Sequence, residues 1–189
     1  MKGIAASPGI AIGKVLIKKD AQIKIEKKNI DNIEDEIKRL NKVREISKQQ
    51  IQTIYKHTQQ NIGQEEAKIF EAHMMILDDP EYFGQVEDKI KTEKINAEHA
   101  LKQVTDMFIE ILQNMDNEYM KERASDIKDV SNRVIIQLLG IELEDLSKLD
   151  EEVIIVAKDL TPSDTAQMDK QKVLGFITEI GGKTSHSAI

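Results

Sequence analysis

The chain has 189 residues, of which 40% are hydrophobic and 32% charged, with a formal net charge of −7 and no cysteine. Lack of cysteine excludes disulfides and thiolate zinc sites, and the acidic balance argues against nonspecific nucleic-acid binding. No apolar run approaches the roughly 18 residues of a membrane span, and the amino terminus lacks the apolar core of a signal peptide. We therefore expect a cytoplasmic protein without membrane insertion.

Short strands are predicted at the beginning of the chain and helices in its middle. Residues 10–17 are rich in β-branched side chains, which predicts a strand. Between about 30 and 140 glycine and proline become scarce, and apolar residues recur at steps of three and four, as on one face of a helix. The predicted helices are a long one with a start signal at Asp31 and Glu34, 65–77, a short one from Pro80, one through 101–115, and 119–139 with Gly140 as its cap.

The chain after residue 149 alternates again between strands and helices. Runs 153–157 and 173–178 predict buried strands, and Thr161 to Asp164 have the cap, proline and acid of a helix start. A further helix is predicted from about Ser185. This alternation indicates an α/β domain of residues 1–20 and 148–189, with an all-α bundle inserted at 21–147, α-rich overall. The last helix is too short to be stable alone, so we expect a truncated piece of a longer protein.

His186 is the candidate for chemistry because it follows a double glycine at a predicted helix start. Glycines permit close approach of another molecule, and a helix start favours anions. Lys183, Thr184 and Ser185 add a cation and hydroxyl groups, and a neutral imidazole is nucleophilic. These residues fit a transient phosphoryl-imidazole. By themselves they fit an ordinary turn with a capping or surface histidine somewhat better, whereas a metal site lacks a second ligand.

The longer sequence blocks resemble enzyme I of the bacterial sugar phosphotransferase system, a phosphoenolpyruvate–protein phosphotransferase. The blocks occur in the family's order and span nearly the whole chain. Lys183 stands where arginine is common in the family, which puts a phosphate-binding role for this residue in doubt. The matching blocks are GIAASPGIAIG at 3–13, IFEAHMMILDDP at 69–80, NEYMKERA at 117–124, AKDLTPSDTA at 157–166 and GFITEIGGKTSHSAI at 175–189.

The resemblance implies a reaction as well as a fold. Phosphoenolpyruvate would phosphorylate His186, and the phosphoryl group would pass to a histidine of the carrier HPr in the first step of sugar uptake. Thr165 matches the residue that contacts the histidine in its resting orientation. The family binds phosphoenolpyruvate and Mg²⁺ in a carboxy-terminal barrel that is absent here, so we expect this chain alone to be inactive with phosphoenolpyruvate and to hold no metal or cofactor.

The helical insert resembles the HPr-docking subdomain of the same family. Methionine would supply an adaptable apolar surface, and carboxylates would face basic groups of the partner. By spacing alone, Phe70, Met74 and Leu77 fit bundle core better than an interface, whereas Glu71 and Met75 lie off that face. The residues assigned to partner binding are Glu65, Glu66, Phe70, Glu71, His73, Met74, Met75, Leu77, Asp78 and Arg123.

Three alternatives follow from the same residues. A pyruvate phosphate dikinase or phosphoenolpyruvate synthase shares a similar glycine-rich turn before its histidine but carries a nucleotide-binding region ahead of it. A non-catalytic helical interaction module would account for the bundle but not for the strands. A nitrogen-regulatory paralogue would use a different HPr-like partner.

Overall fold

The computed structural model describes residues 3–18, 24–141, 146, 149–169 and 171–180. The helix predicted near Ser185 lies outside the described residues. The chain divides into two compact units, Ile23–Glu142 and the combination of Met1–Gln22 with Leu143–Ile189. Each unit is considered by itself.

Five helices form the first unit, which confirms the predicted all-α insert. The start of α1 is capped by Asn32, whose side chain accepts from Asp35 N–H, one residue beyond the predicted signal at Asp31. Gly140 ends α5 in the left-handed conformation at φ 64°, as predicted. The helices are α1 (Ile33–Asn61), α2 (Gln64–Asp78), α3 (Pro80–Glu93), α4 (Ala97–Gln113) and α5 (Glu118–Leu139).

The third helix is longer than the short helix predicted, with 14 residues. Asp79 explains its firm start, because its carboxylate accepts from the N–H groups of Glu81 and Tyr82. Pro80 occupies the first helical position, where its fixed φ suits a helix and its missing N–H costs nothing. The helix then continues along α1 as far as Glu93.

Helices α2 and α3 together run antiparallel to α1. The contacts that fix this direction pair Tyr55 with Glu71, Lys48 with Asp78, and Asn41 with Glu87. Residue numbers fall along α1 as they rise along α2 and α3, so both helices pack antiparallel to α1. Fully buried apolar side chains fill the space between the helices: Leu40, Ile51, Phe70, Leu77, Phe83, Val86, Ile90, Leu101, Val134 and Ile135.

A buried hydroxyl cluster joins α3, α4 and α5. The Tyr82 hydroxyl lies 2.7 Å from Thr105 Oγ1 and 2.6 Å from Ser131 Oγ. Thr105 and Ser131 also hydrogen-bond to the carbonyls of Leu101 and Ile127 in their own helices. Burial raises the pKa of Tyr82, so the phenol stays protonated and can donate. The cluster supplies directional contacts in a core that is otherwise apolar.

A charged network joins the ends of α1, α4 and α5. The Arg39 guanidinium donates to both oxygens of Glu98, at 2.9 and 2.8 Å, and to both oxygens of Glu36, at 3.1 and 2.6 Å. It also donates to the carbonyl of Leu138 at 3.0 Å. Glu36 accepts in addition from Ala97 N–H at 2.6 Å. One arginine therefore holds three helix ends in register.

Asn96 extends this network to the segment that precedes α1. Its side chain accepts from Lys28 N–H at 2.8 Å and donates to the carbonyl of Glu26 at 3.2 Å and to Glu98 at 3.0 Å. Burial alone would raise the pKa of Glu98, but the hydrogen bonds from Arg39 and Asn96 and the positive charge of Arg39 outweigh burial and lower it. The carboxylate is thus held in its charged form.

The second unit contains a parallel sheet in the order β1-β2-β3. Strands β2 and β3 have the predicted bounds, whereas β1 begins four residues later than predicted. Lys14 pairs with Val153, the first residue of β2, so the residues before Lys14 have no residue of β2 to pair with in the ladder. Ile10 and Ile12 are correspondingly 97% and 90% exposed. The elements are β1 (Lys14–Lys18), β2 (Val153–Ala157), α6 (Pro162–Gln167) and β3 (Val173–Thr178).

The two faces of this sheet differ in burial. On one face Leu16 and Ile155 pack in a core with Leu160 and Met168. On the other face apolar side chains remain open to solvent, although parallel sheets are normally covered on both faces. The open side chains are Val15, Ile17 and Ile177, which are 60%, 61% and 59% exposed. No helix in the described ranges is long and apolar enough to cross a membrane.

We expect Tyr82→Phe to lower the free energy of unfolding by about 1–2 kcal/mol, because Thr105 and Ser131 lose a buried partner. Urea denaturation followed by circular dichroism measures the change. Tyr55→Phe is the matched control, since its hydroxyl lies at the surface and should shift stability by no more than about 0.5 kcal/mol. Equal stability of Tyr82→Phe and the parent would contradict a stabilising role for the cluster.

We expect the Glu98 network to make the chain sensitive to acid. The folded-state pKa of Glu98 lies below its ordinary 4.5, so its stabilisation is present above that pH and is lost as pH falls through the folded-state value. In urea titrations between about pH 7 and pH 3, Glu98→Gln should lose stability less steeply than the parent. Glu110→Gln, at an exposed position of α4, should follow the parent. Parallel curves for Glu98→Gln and the parent would refute this.

Candidate functional site

The carboxyl ends of the three parallel strands lie at one edge of the sheet. In open α/β sheets the loops at this edge are the usual place of ligand sites. Beyond β3, Glu179 N–H donates to the carbonyl of Ala157 at 3.1 Å and Ile180 N–H to that of Lys158 at 2.9 Å. Up to Ile180 the chain therefore runs beside the segment that leaves β2 toward α6.

Helix α6 begins beside this edge, and its start is fixed by hydrogen bonds on both sides. Thr161 Oγ1 accepts from Asp164 N–H at 3.2 Å, and the Asp164 carboxylate accepts from Thr161 N–H at 2.9 Å. This is the reciprocal cap predicted from the sequence. The same carboxylate pairs with Lys18 at the end of β1, at 2.8 Å with both side chains about four-fifths buried. The pair ties α6 to β1.

Thr165 lies in α6 and is half-buried. Its hydroxyl donates to the carbonyl of Pro162 at 3.1 Å, so its proton is already used within the helix. The oxygen lone pairs remain available, and Thr165 can accept a hydrogen bond from an imidazole N–H. The other residues assigned to the site, Lys183, Thr184, Ser185 and His186, lie outside the described residues, and their approach to Thr165 stays a prediction.

The outer face of α2 contains half of the residues assigned to partner binding. The outer face is defined by Glu65, Glu66, Glu71, Met75 and Asp78, all of which are exposed. Met75 is 73% exposed, which is a large apolar area for a side chain in the middle of a helix. Met74, next to it, is half-buried and contributes only part of its surface.

Three of the assigned residues do not belong to this surface. Phe70, His73 and Leu77 are at most 1% exposed, because their spacing of three and four places them on the face of α2 that packs into the bundle. Phe70 and His73 meet edge to face, with ring centroids 5.7 Å apart. Their burial excludes direct contact with a partner in this conformation, and we remove them from the docking surface.

Existing partners hold several carboxylates of the outer face. Asp78 lies 2.6 Å from Lys48, Glu65 lies 2.7 Å from Lys68, and Glu71 accepts from the Tyr55 hydroxyl. That hydrogen bond raises the pKa of Tyr55. Contacts of this kind at the surface contribute little, roughly 0–1 kcal/mol each. They can therefore be exchanged for a basic partner at low cost.

Arg123 is held in place rather than extended into solvent. Its Nε donates to the Tyr119 hydroxyl at 3.0 Å, and the guanidinium lies 4.8 Å from the centre of the Tyr119 ring. Its Nη1 lies 3.4 Å from Asp126 Oδ2. Tyr119 and Asp126 were not predicted as partners of Arg123, although their spacing of four and three from Arg123 on a helix is a usable signal.

Family models match both units of the chain. The model described as "PEP-utilising enzyme, N-terminal" matches residues 2–123, and the model "PEP-utilising enzyme, mobile domain" matches residues 149–189. The chain belongs to the PEP-utilising enzymes. The first match takes in α1 to α4, and the second takes in β2, α6 and β3 together with the predicted phosphohistidine turn.

Several PEP-utilising relatives are similar along the whole chain. The phosphoenolpyruvate-protein phosphotransferases of Priestia megaterium and Bacillus subtilis (strain 168) are each 50% identical over 189 residues. The alignment covers 100% of this chain but 33% of each relative. The chain therefore spans about a third of the length of these curated relatives.

Solved structures agree with this family and fold. An NMR solution structure of enzyme I (nEIt) is 45% identical, has a TM-score of 0.86, and is matched over 99% of this chain and 76% of its own. The N-terminal domain of Enzyme 1 – Nitrogen has a TM-score of 0.70 at 23% identity, over 98% of this chain and 76% of its own. The second likeness shows a shared fold. Among the described residues of this PEP-utilising chain, no group of three or more histidine, aspartate or glutamate side chains could hold a metal ion.

Proposed function

We propose that this chain carries a phosphoryl group on His186 and passes it to a histidine of HPr, within a phosphoenolpyruvate–protein phosphotransferase that begins sugar uptake in the cytoplasm. The observation that supports this most is the 50% identity to phosphotransferases along all 189 residues, combined with the mobile-domain match over residues 149–189. Residues 1–20 and 148–189 would form the phosphohistidine domain, and residues 21–147 the docking subdomain.

The reaction consists of two transfers of the same group. The Nε2 lone pair of His186 attacks the phosphorus of phosphoenolpyruvate, the bond from phosphorus to the enol oxygen breaks, and the released enolpyruvate takes up a proton to become pyruvate. A histidine of HPr then attacks the phosphorus, and the bond to Nε2 breaks. Lys183, Thr184 and Ser185 would bind the phosphoryl oxygens.

Thr165 fits the resting state of this cycle. Because its proton is donated to the Pro162 carbonyl, we expect the imidazole of His186 to donate to Thr165 Oγ1, which would hold the ring away from the phosphoryl donor. Phosphoenolpyruvate and Mg²⁺ would bind in the part of the longer relatives that this chain does not span. The isolated chain should therefore exchange phosphate with HPr but not use phosphoenolpyruvate.

The outer face of α2 is the proposed docking surface for HPr. Helix α2 contains four carboxylates and one lysine, so its field attracts a basic partner and speeds encounter. Met75 provides the apolar contact at the centre of this surface, and a flexible thioether adapts to the partner's shape. Arg123, held by Tyr119 and Asp126, would add a cation at the interface.

We expect labelled phospho-HPr to transfer its phosphoryl group to this chain and not to His186→Ala. Acid-labile, alkali-stable label measured after gel separation reports the phosphohistidine. His57→Ala, an exposed histidine of α1, should accept label like the parent. Label in His186→Ala would place the acceptor elsewhere, and preference for an HPr-like carrier of the nitrogen system would favour that paralogue. Labelling of this chain by phosphoenolpyruvate alone would contradict the proposal that phosphoenolpyruvate binds in the part of the relatives that this chain does not span.

We expect Glu71→Lys to weaken HPr binding roughly tenfold, because it replaces an attraction by a repulsion at the centre of the outer face. Met75→Asp should weaken it by a similar factor through loss of apolar contact. Isothermal titration calorimetry gives the dissociation constants. Asp88→Lys makes the same charge change on α3 and should bind like the parent. Equal binding by Glu71→Lys and Asp88→Lys would mean that net charge, and not this face, governs docking.

A further inference from the structure

A buried histidine lies between two carboxylates beneath the proposed docking surface. His73 is 1% exposed, and its Nε2 and Nδ1 lie 3.5 Å from Asp126 Oδ1 and 3.8 Å from Asp129 Oδ2 of α5. Nε2 has no hydrogen-bond partner among the described residues. Both nitrogens of the ring therefore face negative charge, at distances slightly too long for hydrogen bonds.

Asp126 connects this buried ring to the exterior. Its Oδ1 faces His73, and its Oδ2 lies 3.4 Å from Nη1 of Arg123. The Asp126 side chain is 13% exposed and that of Arg123 is 34% exposed. One carboxylate thus lies between an imidazole inside the bundle and the guanidinium assigned to the interface.

The charge state of the His73 ring decides how many N–H donors the ring offers to the neighbouring carboxylates. A neutral imidazole has one N–H, so one ring nitrogen presents a lone pair to a carboxylate, whereas an imidazolium has two N–H groups and can donate on both sides. Imidazole is the side chain that ordinarily changes its charge near neutral pH. When His73 is protonated, the Asp126 carboxylate gains a donor on its Oδ1 side that competes with Arg123.

Among the described residues, the charged side chains recorded beside the ring lie on α5. Asp126 and Asp129 face it directly, and Arg123 faces it through Asp126. On α1, the buried residues between the contacts of Lys48 and Tyr55 are Ile51 and Ile54, which do not titrate. On α2 itself the ring meets Phe70. Apolar surroundings strengthen the interaction of the imidazole with the two carboxylates.

We propose that His73 is a positioning residue for docking, which acts through Asp126 on Arg123. Protonation of His73 draws the Asp126 carboxylate toward Nε2, loosens its hold on Nη1, and leaves the guanidinium on the Tyr119 ring free to pair with HPr. This inference rests on the proposed function for its consequence in binding. The coupling from His73 to Arg123 is a property of the chain alone and can be tested without a partner.

Nitrogen-detected NMR between about pH 5 and pH 8.5 tests the coupling directly. In the parent, the Arg123 Nε resonance should titrate with the same midpoint as the ring nitrogens of His73. It should be unchanged by pH in His73→Gln and in Asp126→Asn, and should titrate normally in the exposed-histidine control His57→Gln. An Arg123 resonance that ignores His73 in the parent, or that still titrates in folded Asp126→Asn, would overturn the proposal.

Binding of HPr at about pH 6 and pH 8 tests the consequence. The ratio of the HPr affinity at pH 6 to the HPr affinity at pH 8 should be about threefold larger for the parent than for His73→Gln. Titration of HPr itself contributes equally to the ratio of each protein. Equal ratios, with HPr bound, would overturn the positioning role while leaving the proposed function intact. Absence of HPr binding at both pH values would refute the proposed function, and the NMR titration would still decide the coupling.

Discussion

The helical unit depends on one arginine, Arg39, whose guanidinium hydrogen-bonds to groups at the ends of three helices. Arg39 in α1 binds Glu98 at the start of α4 and the carbonyl of Leu138 near the end of α5, while Glu36 caps the start of α4. Breaking these partly buried ion pairs would leave the Glu98 carboxylate, which is 9% exposed, without its charged partner, and an unpaired charge at a buried position is destabilising. With these ends fixed, α1 becomes the support against which α2 and α3 pack.

Packing against α1 gives α2 one buried face and one exposed face. Phe70, His73 and Leu77 fill the bundle, so the opposite face can only turn toward solvent, where it presents Glu71 and Met75. Met75 is 73% exposed among carboxylates, which is consistent with a docking role. The core residues and the proposed docking surface thus belong to the same helix, and His73 is the residue that connects them.

Much of this fold follows from local sequence. The β-branched runs 153–157 and 173–178 became β2 and β3 without error, and the caps at Thr161 and Gly140 formed as predicted, because these signals act over a few residues. The start of β1 was wrong because it depends on where Val153 begins, more than 130 residues away in the chain. Phe70, His73 and Leu77 were assigned to docking by resemblance, although the spacing of Phe70 and Leu77 already favoured core. Asp126 could have been found from its spacing to Arg123, but its contact with His73 joins two helices and is not visible in local sequence.

The proposed division of the chain into a docking bundle and a phosphohistidine domain is tested most directly by measuring whether HPr binds and where. Transferred cross-saturation from HPr to deuterated, amide-labelled chain reports the backbone sites in contact. The largest effects should fall on the outer face of α2 and around Arg123, with α3 and the groove between α3 and α4 unaffected. Effects concentrated at Gln85, Lys89 and Gln103 of that groove, with none at Glu71 or Met75, would contradict the account.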